Sequence, residues 1–391
     1  MTPGSIDWRH TSRRHLLDFA ERSWLDEGGF GWLLADGRTD PLKPTELWIN
    51  ARMTYVFSLA TLLGDDRSEV AGHGVEALDQ LFHDDANGGW FASPAGSVKG
   101  CYEHAFVLLA ACTATAAGID GAKSLLDEAL AVHGERFWDE AAGLCVEEWS
   151  PDWQTLDPYR GANANMHTVE AYLFAADVTG DDVWRGRALR ICDRLINVIA
   201  RGNDWRLPEH FDADWTPLLG YNADKPDDPF RPYGATPGHG LEWARLLTQL
   251  SASLDDPEAW LLEAATALFD RAVGDGVSSD PGIPYTTDWL GKPVVAERFH
   301  WVMAEAILAA DALARATGES RFASYADRWW AEVDAYFVDG RTGSWHHELS
   351  PTMGLSSRTW AGQPDAFHIM NALTLPDLPL APTAPRTAGT A

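Results

Sequence analysis

The chain has 391 residues and carries 30 Lys plus Arg against 58 Asp plus Glu, a formal net charge of −28. Nucleic acids and anionic membrane surfaces are bound by Lys and Arg, so this balance excludes both as expected partners. At 46% hydrophobic residues it can bury a large core, yet no apolar run approaches the ~20 residues that span a bilayer.

The first 24 residues carry acids early and no apolar run of leader length, which predicts no signal peptide. The four cysteines show no CxxC and no framework spacing, the pattern of a reduced, cytoplasmic protein. Apolar residues then recur at three-to-four spacing in twelve stretches. These are roughly 10–24, 46–63, 67–83, 102–117, 122–136, 163–179, 181–200, 236–253, 257–272, 297–315, 319–336 and 362–373. Thr45, Asp120 and Thr236 (before Pro237) stand where caps belong, and Gly64, Gly118, Gly180 and Gly318 where helices stop.

Connections after even-numbered helices are short and those after odd-numbered ones long. Five long ones share a weak repeat: FHDDANGGWFAS, FWDEAAGLCVEEWS, FDADWTPL, YTTDWLGKPV and FVDGRTGSWHHELS. An aromatic, an Asp, a Gly turn and then a Trp predict short β-hairpins over one end of the molecule. Six helix pairs predict an all-α (α/α)6 barrel, six inner and six outer helices, in preference to an open solenoid. The expected organisation is one domain over 1–375 and a disordered Pro/Ala/Thr tail over 376–391.

The even-numbered helices begin with chemistry: Trp48, Asn50 and Arg52; Tyr102, Glu103 and His104; Asn163, Asn165, His167 and Glu170; His239, Glu242 and Trp243; Glu297, His300, Trp301 and Glu305; Asp365 and His368. His104 and His300 read as structural, His346 and His347 as hairpin surface. His167, His239 and His368 read as functional, each beside small or polar residues. Glu170 and Glu242 follow their histidines by three, on one helix face. That HxxE order reverses the ExxH of dimetal bundles, and no HExxH occurs, so no metal is expected. No GxGxxG, P-loop or GxSxG occurs either. The 19 Trp exceed core need and point weakly to sugars, with Trp48, Trp243, Trp301, Trp90, Trp149, Trp289 and Trp345 as a candidate lining. A glycosidase would recruit Glu242, Glu305 and Asp365. An isomerase or epimerase would use groups that exchange protons near neutrality, and three histidines favour that class.

NARM (50–53), CYEHAF (101–106), NANMHTVEAYL (163–173), PGHGLEW (237–243), WVMAE (301–305) and DAFH (365–368) resemble the N-acylglucosamine 2-epimerase superfamily, over about 8–375. The likeness is greatest to its aldose–ketose isomerase branch, which holds the mannose and sulfoquinovose isomerases. The resemblance implies an (α/α)6 barrel without metal or nucleotide cofactor, acting on a monosaccharide, as a monomer or small homo-oligomer. It implies that His239 and His368 are catalytic and that Glu242, Glu305 and His167 support or orient them. Arg52, Tyr102, Asn163, Trp301 and Arg231 become substrate ligands, Arg52 able to stabilise an enediolate. The implied reaction interconverts D-mannose and D-fructose through a cis-enediol(ate). Alternatives are 2-epimerisation of mannose/glucose or a cellobiose-type disaccharide, sulfoquinovose isomerisation and inverting glycoside hydrolysis.

Overall fold

The computed structural model describes residues 1–96 and 98–388, and the helices that the periodicity predicts all form. Their burial follows composition. α2 (Leu47–Leu62) is apolar on every side and buries each residue from Leu47 to Ala60. α4 (Cys101–Ala116), α6 (Ala162–Thr179), α8 (Pro237–Ser253) and α10 (His300–Thr317) are likewise buried along most of their length. A helix without a polar face belongs inside a fold. α3 (Ser68–Gln80), α5 (Ala122–Val132), α9 (Trp260–Gly276) and α11 (Ser320–Glu332) bury only one stripe each, such as Val70, Ala71, Gly74, Val75, Ala77 and Leu78 of α3.

Tertiary contacts divide the chain into two units. One runs from Leu17 to Ile191 with Gln363–Phe367 and the segment from Pro382; in it α2 packs on α3 and α4, and α4 on α5 and α6. The other comprises Met1–Leu16, Cys192–Gly362 and His368–Ala381; in it α8 packs on α9 and α10, and α10 on α11. The boundary falls within α1 (Ile6–Ala20), beside α7 (Val183–Cys192) and within α12 (Phe367–Thr374).

Several boundaries differ from expectation, among them that of α9, which lies at Trp260–Gly276 rather than 257–272. α1 lies at Ile6–Ala20 rather than 10–24, because Glu21–Ser23 tightens into a 3₁₀ turn and Trp24 bridges to Phe30. α10 starts at His300, not 297, because Glu297–Phe299 end a strand whose Arg298 pairs with Pro284 and Leu349. α12 starts at Phe367, not 362, because the Asp365 carboxylate accepts the Phe367 N–H and so acts as its cap. α5, α7 and α11 each run on into a π-helical stretch, at His133–Phe137, Asp193–Ala200 and Val333–Phe337. Gly180 and Gly318 close α6 and α10 in the left-handed conformation, as their positions predict.

The strands are short: β1 (Lys99–Gly100), β2 (Trp138–Asp139), β3 (Leu144–Cys145), β4 (Glu148–Trp149), β5 (Arg160–Gly161), β6 (His210–Phe211), β7 (Pro284–Thr287), β8 (Pro293–Phe299) and β9 (Glu348–Leu349). All five repeated segments turn back on themselves. β2 pairs with β3, β7 with β8, and His83–Trp90, Phe211–Pro217 and Val338–Trp345 form single bridges. The repeat has one physical basis. Asp84, Asp139, Asp212, Asp288 and Asp339 each accept, on a side-chain oxygen, the N–H two residues on. Asp84 also takes the ammonium of the fully buried Lys99 at 2.7 Å. Burial opposes the Asp84 charge, but hydrogen bonds from Lys99, Asn87 and Ala86 outweigh it and hold the carboxyl down to about 2.

The tail expected to be disordered carries a 3₁₀ turn at Leu375–Asp377 and a short α13 (Ala384–Ala388). The Thr383 N–H donates to Asp177 and Ala384 is buried; 389–391 lie outside the described residues. All four cysteines are free and buried, and no described helix is long and apolar enough to cross a membrane.

Candidate active site

The starts of α8, α10 and α12 place two imidazoles on carboxylates. His239 lies in the first turn of α8, which opens with Pro237, a residue whose fixed φ suits that position. Its Nδ1 is 2.9 Å from Oε1 of the buried Glu209. His368, in the first turn of α12, puts Nδ1 2.8 Å from Oε1 of Glu305 on α10. A carboxylate accepts and does not donate, so in both neutral rings Nδ1 carries the hydrogen and Nε2 the lone pair. Trp301 lies between them, its ring 5.2 Å from that of His239 and 5.7 Å from that of His368. Gly238 makes this approach possible, since a Cβ there would fall 2.6 Å from the Trp301 ring.

Glu305 is bonded on both oxygens: Arg245 Nε donates to Oε2 at 2.8 Å. The same guanidinium reaches Glu242 Oε1 at 3.3 Å. Glu242, three residues after His239, was expected to orient a histidine or bind an arginine; it accepts from Arg245, and a carboxylate on His239 Nδ1 comes from Glu209. Glu242, Glu305 and His368 each offer a ligand atom within 4.8 Å of the others, the donor set of a cation site. Arg245 already supplies positive charge to both carboxylates, so a metal would have to displace it.

The other unit gathers its polar groups around a cation. Arg52 donates to Asp365 Oδ2 at 3.1 Å and to the Tyr102 hydroxyl at 2.9 Å. Its guanidinium carbon lies 4.2 Å from the Phe106 ring centroid and 5.0 Å from that of Phe367. His167 packs its ring 4.5 Å from Phe106 and 5.4 Å from Tyr102, with Nδ1 3.8 Å from Glu170. Asn163, one turn before His167, keeps a buried Oδ1 for which the described residues provide no donor. The neighbouring asparagines are structural instead. Asn50 bonds both backbone groups of Phe30, and Asn165 both of Cys145.

The histidines read as structural behave so. His104 places Nδ1 2.7 Å from the Gly100 carbonyl and accepts the Trp90 N–H on Nε2 at 3.1 Å. Burial, the main cause, pushes its pKa down to about 3. His300 lies against the His347 carbonyl. Arg231 is set in the 222–233 loop, its N–H on Asp228 and its carbonyl on Asn222. The expected aromatic lining shrinks: Trp90, Trp243 and Trp345 are at most 1% exposed and belong to the core, because the helices and hairpins carrying them are buried on that side.

Two residues of this arrangement escape the sequence reading. Arg245 had a signal: with His239 and Glu242 it continues an i, i+3, i+6 row on one face of α8. Glu209 had almost none, being a loop residue just before a hairpin repeat.

The N-acylglucosamine 2-epimerase family model matches residues 28–372. A D-mannose isomerase of Thermobifida fusca is 48% identical over 386 residues, 96% of this chain and 95% of that protein. A solved D-mannose isomerase structure is 28% identical and superposes with a TM-score of 0.88 over 95% of this chain and 97% of its own. Cellobiose 2-epimerase from Spirochaeta thermophila DSM 6192, 22% identical, gives a TM-score of 0.81 over 93% of this chain and 95% of its own, a likeness of fold. The fold class is therefore the all-α (α/α)6 barrel expected from the helix pattern. The chain belongs to the N-acylglucosamine 2-epimerase family.

Proposed function

We propose that the protein is an aldose–ketose isomerase interconverting D-mannose and D-fructose, with no metal or organic cofactor. The observation that carries this reading is the pair of histidines, each with Nδ1 on a buried carboxylate. The near-full-length likeness to D-mannose isomerases supports mannose as the substrate. His239 opens the pyranose and moves protons between O1 and O2. The open-chain aldehyde acidifies the C2–H bond, and Nε2 of His368 takes that proton to give a cis-enediol(ate). The same imidazolium returns the proton to C1, leaving a ketone at C2, so atoms and charge balance. Glu305 holds the tautomer of His368 that makes Nε2 a base. Arg52, Tyr102, Asn163, His167, Trp301 and Arg231 are proposed as sugar ligands, Arg52 offsetting enediolate charge.

Hydrolysis is less well supported. A glycosidase needs one carboxylic acid kept protonated. Glu242 and Glu305 share a guanidinium, which favours their charged forms, and Asp365 spends its oxygens on Arg52 and the Phe367 N–H. The test is incubation with mannose, glucose, fructose and cellobiose, each with EDTA, followed by chromatography. Fructose from mannose is expected. Glucose appearing before fructose would make the protein an epimerase, and unchanged mannose with a folded protein would overturn the reading.

A further inference from the structure

The geometry points to Glu209 as the positioning residue of His239, a loop carboxylate that sets which imidazole nitrogen can accept a proton. This rests on the proposed role of His239 and goes beyond it, because neither the motifs nor the helix pattern mark Glu209.

Three observations meet here. The Glu209 carboxylate is 2.9 Å from His239 Nδ1, matching the 2.8 Å contact of Glu305 with His368. Glu209 is 5% exposed although it belongs to no helix, and a buried carboxylate is held only where it has a partner. The segment carrying it is anchored on both sides. Three residues before, Arg206 grips Asp275 of α9 through Nε at 2.7 Å and a second nitrogen at 2.9 Å. One residue after, His210 bonds the Pro232 carbonyl at 2.8 Å, and its own carbonyl accepts the Leu218 N–H at 2.8 Å. The loop therefore does for His239 what helix α10 does for His368: it delivers a carboxylate at fixed reach. Without it, the neutral ring is free to carry its hydrogen on Nε2, and in that tautomer Nε2 accepts no proton.

The experiment compares full-length wild type, Glu209→Ala and the isosteric Glu209→Gln. The tautomer of His239 is read from its ring ¹⁵N shifts, assigned with His239→Ala, alongside kcat and KM on mannose. Wild type is expected as the Nδ1–H form. Glu209→Ala is expected to lose that preference and at least about 100-fold in kcat, with KM held within roughly threefold. Glu209→Gln can still accept the Nδ1 hydrogen through its carbonyl oxygen, so it should fall between the two. An unchanged His239 tautomer in Glu209→Ala overturns the proposal, and so does a kcat within about threefold of wild type. If Glu209→Ala fails to fold, the same two criteria are applied to Glu209→Met, which keeps the length of the side chain and has no oxygen to accept the Nδ1 hydrogen. The ¹⁵N measurement needs no substrate, so it stands if the protein proves not to act on mannose.

Discussion

The start of α4 and the starts of α8 and α12 each present a histidine in the first turn, and the outcomes are opposite. His104 on α4 has both ring nitrogens engaged by backbone, one on the Gly100 carbonyl and one by the Trp90 N–H. His239 and His368 have a carboxylate on Nδ1. Backbone groups on both sides hold a ring neutral and make it part of the scaffold. A carboxylate on one side leaves the opposite nitrogen as a base and accommodates the imidazolium that forms when it takes a proton. Residue type and helix position are the same, so the Nδ1 partner, a carboxylate in place of a backbone carbonyl, is what separates the two proposed bases from His104.

Substitutions can break this contrast. The largest effect is expected for His368→Ala and His239→Ala, each lowering mannose turnover about 10³-fold with the circular dichroism spectrum unchanged. Next comes Arg245→Ala, which strands two buried carboxylates; urea unfolding should show a loss of about 3–5 kcal/mol. His104→Gln should cost about 1–3 kcal/mol by the same assay while turnover stays within roughly twofold, the reverse of the His368 pattern.

The pH dependence sharpens the point. Unfolded, His104 takes a proton near ~6.5. Folded, it does so only near about 3. Between these values the unfolded chain binds the extra proton, so stability from this residue is present above the unfolded pKa and lost as pH falls toward 3. His104→Gln should flatten the urea-midpoint profile there by up to about 1.4 kcal/mol per pH unit. Asp84 acts lower, its contribution lost as pH falls from the unfolded value of 3.8 through about 2, so the two windows overlap only below 3.8. The smallest effect is expected for Arg231→Ala, a rise in KM of less than about tenfold with kcat held.

The helices were legible because their apolar spacing repeats, and with them the places of His239 and His368 in the first turns of α8 and α12. Boundaries failed where a different interaction took precedence. Strand pairing of Arg298 claimed the residues before α10, and capping by Asp365 delayed α12. Trp243 was misread because α8 is buried nearly all round, so its position on the helix does not separate a lining face from a packed one. Glu209 stayed hidden because its partner is thirty residues away across a loop, a distance that no periodicity encodes.

Glu305 gives one oxygen to His368 and the other to Arg245, and this shapes how lineages of the protein can drift. Replacing Glu305 alone strands the Arg245 cation and loosens an imidazole in the same step. Replacing Arg245 alone removes the guanidinium that Glu242 and Glu305 share. Each single change passes through an impaired intermediate, so the four positions are expected to be inherited as a block, changing together or not at all.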